Sequence, residues 1–363
     1  MAERKETMKY GKTLKELVEE LDRQAEAKVD FLVDTPNLVM DAIDGGHQLT
    51  MKNDAKRTST IFGVNDIAHR QIGSILKIPA PYYDKMRMEN PELLATNVNS
   101  WFNKEPARRM IRTLDGTARA FLSDRYRRID NYDIAHASLP LILGEQQMKV
   151  ASCEITDQRM YIKVVNPRLQ TEVVPGDYVQ SGLIISNSEV GMGSVTVQPL
   201  IYRLVCSNGM VVNDAATRKY HIGRGNKSSE DYTLYSDATL EADDKALMMK
   251  VQDTVRAVVD EVQFQKVVKM MRDAKDAKIT GRVPQVVELA SADYGFTKKE
   301  NDSILEQLIK DGDYTLYGLA NAVTRAAQDV ESYDRSTEME SIGYTVMNMS
   351  RDRWNKINTE IPA

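Results

Sequence analysis

Arg108-Arg109-Met110-Ile111-Arg112-Thr113-Leu114-Asp115-Gly116-Thr117-Ala118-Arg119-Ala120-Phe121-Leu122-Ser123 is the stretch whose reading decides the fold. Asp115-Gly116 strongly marks a two-residue hairpin turn, because both central residues of such a turn must tolerate positive φ. The flanking runs are strand-like, so the spacing predicts antiparallel strands over 108–114 and 117–123. With Leu114 opposite Thr117, the register sets Arg112 against Arg119, Met110 against Phe121 and Arg108 against Ser123. One face then carries Arg108, Met110, Arg112, Arg119 and Phe121. The other carries Ile111, Thr113, Ala118, Ala120 and Leu122, a core pattern with Arg109 as its exception near the strand end.

Strand signals continue on the C-terminal side. Lys149–Ile155 and Met160–Val165 pair around Thr156-Asp157-Gln158, and 179–185 with 194–206 pair around Gly191-Met192-Gly193. On the N-terminal side, Leu14, Leu17, Val18 and Leu21 keep helical spacing within 12–28, and short strands at Phe31-Leu32-Val33 and Gln48–Met51 are separated by Gly45-Gly46. Asn65 or Asp66 caps a helix to about Leu76, and Pro91 opens another towards Trp101 and Phe102. From about Leu240 the chain turns helical, with Leu247, Val251, Val255, Val258, Val262 and Phe264 to Val267 in one stripe. Thr297-Lys298-Lys299-Glu300 is a capping box, and Tyr317–Val330 reads as a further helix. The prediction is an α+β protein: a central antiparallel sheet of β-hairpins with helices packed on one face, and a helical C-terminal part. The division falls at 1–238 and 239–363.

At 363 residues, with 42% hydrophobic and 28% charged residues, the chain has ample material for a core. It shows no signal-peptide pattern at its start and no apolar run of about 20 residues, so a cytoplasmic protein without a membrane partner is expected. Cys153 and Cys206 sit in strand-like apolar stretches and read as buried free thiols. Net charge is −5, yet residues 108–128 hold seven arginines against Asp115 and Asp124, a local +5 on a chain that is otherwise −10.

Two like charges directly across a sheet are unfavourable by up to about 1 kcal/mol unless an anion sits between them. A phosphate would satisfy Arg112 and Arg119, with Arg108 beside them. Arg125, Arg127 and Arg128 around Tyr126 form the cation-and-aromatic mixture that tracks a single strand and stacks a base. Arg224 and Lys227, in a loop of small residues, are further phosphate candidates. The competing readings are that Arg112 and Arg119 pair with carboxylates of the chain or of a neighbouring subunit, or hold a small anion.

Catalytic and cofactor signals are weak. Gly223-Arg224-Gly225 lacks a dinucleotide fingerprint, and there is no phosphate-binding GxxxxGK[ST] run. His47, His69, His136 and His221 have no companion at ligand spacing, and His69 reads as a packed or surface residue. No cofactor, metal or enzyme activity is expected. Asp124, Asp130 and Glu154 are the only carboxylates that suggest a metal-dependent nuclease, and nothing in their spacing distinguishes them.

Several blocks nevertheless resemble a known group. These are Ile78-Pro79-Ala80-Pro81-Tyr82-Tyr83, the run Phe121–Asn131, Gly182–Gly191 with Ser186-Asn187-Ser188-Glu189-Val190-Gly191, Tyr202–Met210, and Asn321-Ala322-Val323-Thr324-Arg325 within Leu319–Tyr333. Together, over roughly 60–345, they resemble the phage and plasmid family catalogued as domain of unknown function 932. The resemblance implies a mobile-element protein inside a bacterial cell, often among replication and recombination genes, and carries no catalytic residues. The combined expectation is a non-enzymatic accessory protein that binds single-stranded nucleic acid in phage recombination or replication, as a homo-oligomer. The alternative is an interaction module that inhibits or sequesters a host defence protein.

Overall fold

The computed structural model describes residues 11–53, 58–126, 128–145, 148–205, 207–213, 221–222, 237–258 and 261–359, and over these the architecture is α+β. Helix α1 (Leu14–Ala27) leads into β1 (Val29–Asp34), β2 (Leu38–Ile43), β3 (Gly46–Asn53) and β4 (Thr58–Val64). Three helices follow: α2 (Asp66–Ile75), α3 (Ala80–Glu89) and α4 (Pro91–Lys104). Then come β5 (Arg108–Leu114), β6 (Thr117–Ser123) and α5 (Asn131–Pro140).

The second half starts with β7 (Lys149–Ile155), β8 (Met160–Val174), β9 (Asp177–Asn187), β10 (Val195–Arg203), β11 (Asn208–Val211) and β12 (His221–Ile222). It ends in α6 (Asp237–Val258), α7 (Glu261–Asp276), α8 (Val283–Tyr294), α9 (Lys298–Asp311), α10 (Leu316–Ala326), α11 (Tyr333–Met347) and α12 (Arg351–Thr359).

The strands form two sheets rather than one. The first has the order β1-β5-β6-β4-β3-β2, and the second β11-β10-β9-β8-β7 with β12 also against β10. Helices α2, α3 and α4 cover one face of the first sheet, where Ile72, Tyr83, Leu94, Val98 and Phe102 meet Leu49, Phe62, Ile111 and Phe121. The second sheet is clothed more fully. α1, α5 and α6 bury Leu17, Leu21, Ile134, Leu247, Val251 and Val255 against Ile162, Val164, Leu183, Ile185 and Val197. Tyr333, at the start of α11, packs with Tyr161, Ile184, Leu200 and Val211, which alternate with that first set along the strands. The physical reason is visible in β8, where Met160–Asn166 is buried at every position, so both faces need a cover.

The helical C-terminal part begins at Asp237. α7 to α12 share one apolar cluster with Val173, Val179, Ile201, Met210 and Val212 of the strands. Val262 departs from the expected stripe: it is exposed on α7, while Phe264, Val267 and Val268 face inward. The Gly45-Gly46 turn joins β3 to β2, a strand the sequence reading passes over, and Pro81 lies in the first turn of α3. The capping boxes at Thr13 and Thr297 and the Asn65 cap hold their helix N-termini. Cys153 is a buried free thiol; Cys206 lies outside the described residues.

The expected hairpin is present, with Asp115 and Gly116 at φ 49° and 73°. Its register is not the expected one. Leu114 faces Thr117 and Thr113 faces Ala118, but Arg112 then faces Ala120, so a bulge leaves Arg119 without a direct cross-strand partner. Met110 faces Leu122 and Arg109 faces Ser123. The bulge removes the like-charge pair that a regular ladder would create.

Between the first sheet and its helices lie two buried histidines. His47 Nε2 is 3.0 Å from the Pro91 carbonyl, His69 Nδ1 is 2.9 Å from the Tyr83 hydroxyl, and the two rings sit 5.2 Å apart. Burial pulls the His69 pKa down to about 3, and the Arg87 charge adds to the effect. The folded form thus holds His69 neutral, whereas an unfolded His takes a proton below about pH 6.5. Stability should therefore be fully present above pH 6.5 and decline as the pH falls below it, by about 1.4 kcal/mol per unit from His69, or about 2 kcal/mol at pH 5. Urea unfolding at pH 7 and pH 5 checks this, and His69→Gln should flatten the difference.

Candidate functional site

Arg112 is the centre of a buried polar seam between the two sheets. Its side chain is 0% exposed, and β1 places Asp30 directly across from it in the ladder. Nε donates to Asp30 Oδ1 at 2.9 Å and Nη2 to Oδ2 at 3.2 Å, while Nη2 also reaches Asp130 Oδ1 at 2.6 Å. Nη1 donates to the Glu189 carbonyl at 2.9 Å. Burial by itself would lower the Arg112 pKa, but the two carboxylates outweigh it and hold the guanidinium charged. In the same way burial pushes the Asp130 carboxyl up, and Arg112 and Lys28 bring it below the usual carboxylate range.

Glu189 ties Arg119 to the same seam. Its Oε2 accepts from Arg119 at 2.5 Å and its Oε1 from the Asn131 backbone N–H at 2.6 Å. Asn187 donates to the Ile129 carbonyl and to Asn131 Oδ1, both at 2.9 Å. Gln71 closes the set, accepting from the Phe121 N–H and donating to the Val190 carbonyl, each at 2.7 Å. The segments 121–131 and 186–191 thus meet face to face, with β1 and α2 completing the enclosure.

Of the residues singled out in the sequence, Arg112 and Arg119 are therefore occupied by the chain's own carboxylates rather than facing each other across a gap. Arg108 is exposed, with Asp34 opposite it on β1. Arg125 is exposed, and Arg128 is exposed and donates to Asp30 at 3.2 Å. Tyr126 is half-buried and its hydroxyl donates to the Ser188 carbonyl at 3.3 Å, so the ring belongs largely to the seam. Arg127, Arg224 and Lys227 lie outside the described residues. Asp130 is bound into the seam, Glu154 sits 3.8 Å from Lys12, and no three His, Cys, Asp or Glu side chains among the described residues gather around a common metal position.

A cleft of about 820 Å³ opens beside the seam. It crosses the face of the second sheet beneath α11. Tyr161, Ser186 and Thr196 stand in one cross-strand row of its floor, and Ile184 with Gln198 in the next. The Ser186 and Thr196 hydroxyls share a hydrogen bond of 2.7 Å. Asp334 accepts from the Tyr161 hydroxyl at 2.7 Å and from Thr156 at 3.1 Å; burial and that carboxylate both raise the Tyr161 pKa, keeping the phenol protonated. Thr337 lines the wall, and its buried hydroxyl has no hydrogen-bond partner among the described residues. In the same row as Ile184 and Gln198, Lys163 forms a buried pair with Glu340 of α11 at 2.6 Å and lies 4.7 Å from the centre of the Tyr333 ring.

The sequence reading missed this cleft. One signal was available: Lys163 interrupts an otherwise apolar strand, and a charge there demands a buried partner. That partner, Glu340, is 177 residues away, so no local pattern names it. Another motif pair meets the same way, because Asn208 donates to the Thr324 hydroxyl and so joins the 202–210 run to the 321–325 run.

The seam makes a sharp prediction. Arg112→Ala leaves Asp30 and Asp130 buried without their cation and should destabilise the fold by about 3–5 kcal/mol, against about 0.5 kcal/mol for an exposed phosphate-binding arginine. Chemical denaturation of the purified variant measures the difference.

No curated protein and no solved structure matches the chain. No helix of the described residues is long and apolar enough to cross a membrane. A family description does match, over residues 120–353, a span that begins inside β6 and takes in Asp130, Glu189, the whole second sheet and the cleft. The motif blocks that meet across the seam and beneath α11 are the ones that fall within it, and the chain belongs to the family described as Domain of unknown function (DUF932).

Proposed function

We propose that this chain is a binding protein, not a catalyst, whose ligand is a small polar molecule held in the cleft between the second sheet and α11. The observation that carries the reading is the cleft itself. Its volume of about 820 Å³ is within the range that encloses a small ligand, and Gln158, Gln198, Asn213, Ser186, Thr196 and Thr337 bring amides and hydroxyls to it. Such groups orient a ligand by hydrogen bonds.

Ser194 is exposed at the cleft and outside its packed floor. Ser194→Trp should fill the mouth without unfolding the protein. Ligand-observed NMR with a library of polar fragments should find binders to the native protein that lose contact with this variant. Equal binding to both proteins, or no binders at all, would sink the reading.

A second reading concerns single-stranded nucleic acid, and one observation favours it. The register brings Arg108 and Arg109 to the same hairpin end as Ser123 and hence Arg125; Arg108 and Arg125 are exposed there, and Arg128 is exposed further along, beside Asp30. Three phosphate contacts to a single strand predict a log–log salt slope of about −2 in fluorescence anisotropy, lost in the Arg108, Arg125 and Arg128 triple alanine variant. A flat salt response would exclude it.

A further inference from the structure

We infer that Arg159 is the anion-recognising residue of this cleft, so that the ligand carries a carboxylate or a phosphate at one end. The inference rests on the cleft reading above and adds the chemical class of what binds.

Three features of Arg159 lead to it. First, its charge is uncommitted. Arg335, the other cation of the cleft, is consumed by Glu300 and Glu338, at 2.8 Å each. Among the described residues no carboxylate lies within ion-pair distance of Arg159; its one hydrogen-bond acceptor is the Met192 carbonyl, which takes a proton of Nη2. A guanidinium has five N–H donors in a planar fork, so most of its donors remain available.

Second, the group is held in place. A Cβ built on Gly193 would overlap Nη1, Nη2 and Cζ of Arg159, so the guanidinium lies directly on the glycine backbone, which adopts φ +149°. A side chain at that position would displace the guanidinium. A planar fork fixed against backbone loses little freedom when it takes a second acceptor, the condition under which bidentate recognition of carboxylate or phosphate is strongest.

Third, the opposite charge sits nearby and is itself only partly used. Asp334 lines the same cleft and accepts from the Tyr161 and Thr156 hydroxyls. Arg159, Tyr161 and Asp334 all line this one cleft. An anionic group on Arg159 with a hydroxyl or N–H of the same molecule directed at Asp334 satisfies both.

The test divides the fragment library into anionic and neutral members and follows each by ligand-observed NMR. Anionic fragments should dominate the binders to the native protein. Arg159→Gln should weaken them by about tenfold, the equivalent of about 1.4 kcal/mol, while neutral binders keep their affinity. Arg159→Lys, which retains the charge but not the planar fork, should fall between the two. Carboxylate and phosphate fragments, scored separately, identify which anion is preferred. Neutral and anionic fragments binding alike, or anionic binding indifferent to Arg159→Gln, would overturn the inference while leaving the cleft reading intact. Loss of the cleft reading shows instead as fragments that ignore Ser194→Trp.

Discussion

A single buried guanidinium holds the two sheets of this protein in one relation. Arg112 belongs to the first sheet, yet it donates to Asp130, at the cap of α5, and to the backbone of Glu189, in the loop after β9. Taking these charges out of water is costly, and their mutual attraction repays it only because the geometry is nearly complete. Apolar packing of the same size would bring the sheets together without specifying an angle. Directional bonds from one planar group to three separate segments do specify it, which makes the seam the constraint on which the placement of everything else rests.

The loop Ser188–Ser194 carries that constraint to the cleft. One side of it is gripped by the seam through Glu189 and through Val190, whose carbonyl accepts from Gln71. Gly191 sits against Leu122 with no room for a side chain. Two residues on, Gly193 lies against Arg159 at the cleft wall. The two glycines thus do different work on opposite sides of one short turn. A second polar layer, Lys163 with Glu340, fastens α11 to the sheet and fixes the other wall. The cleft is therefore bounded by two buried charge clusters and has little freedom to collapse.

Much of this was legible in the chain. Asp115-Gly116, the capping box at Thr297 and the cap at Asn65 are local devices whose chemistry is complete within a few residues, and each sits where its pattern places it. The strands 149–155, 160–165 and 179–185 were readable from apolar patterning for the same reason. The hairpin register was not. The bulge at Arg119 is stabilised by Glu189, 70 residues along the chain, and by Asp30 beside Arg112, contacts that no hairpin rule contains. The helices α3, α5 and α11 escaped notice because their apolar positions serve two neighbours at once and leave a weak stripe, as in Tyr333–Met347, buried on several sides.

By itself, the amino-acid sequence determined the α+β class, the hairpins, the change to helix in the C-terminal third and the concentration of arginine at 108–128, because these follow from interactions between near neighbours. It also determined that arginines packed into this hairpin must find an anion, although not that they face each other, which the bulge prevents. Which anion was a tertiary decision: the chain supplies its own carboxylates from Asp30, Asp130 and Glu189. The cleft was decided at the same level, since Tyr161, Gln198 and Thr337 become neighbours only after the sheet and α11 have packed. A charge in water is content anywhere, whereas a charge in the interior must meet its partner, and where that meeting occurs is a property of the folded chain.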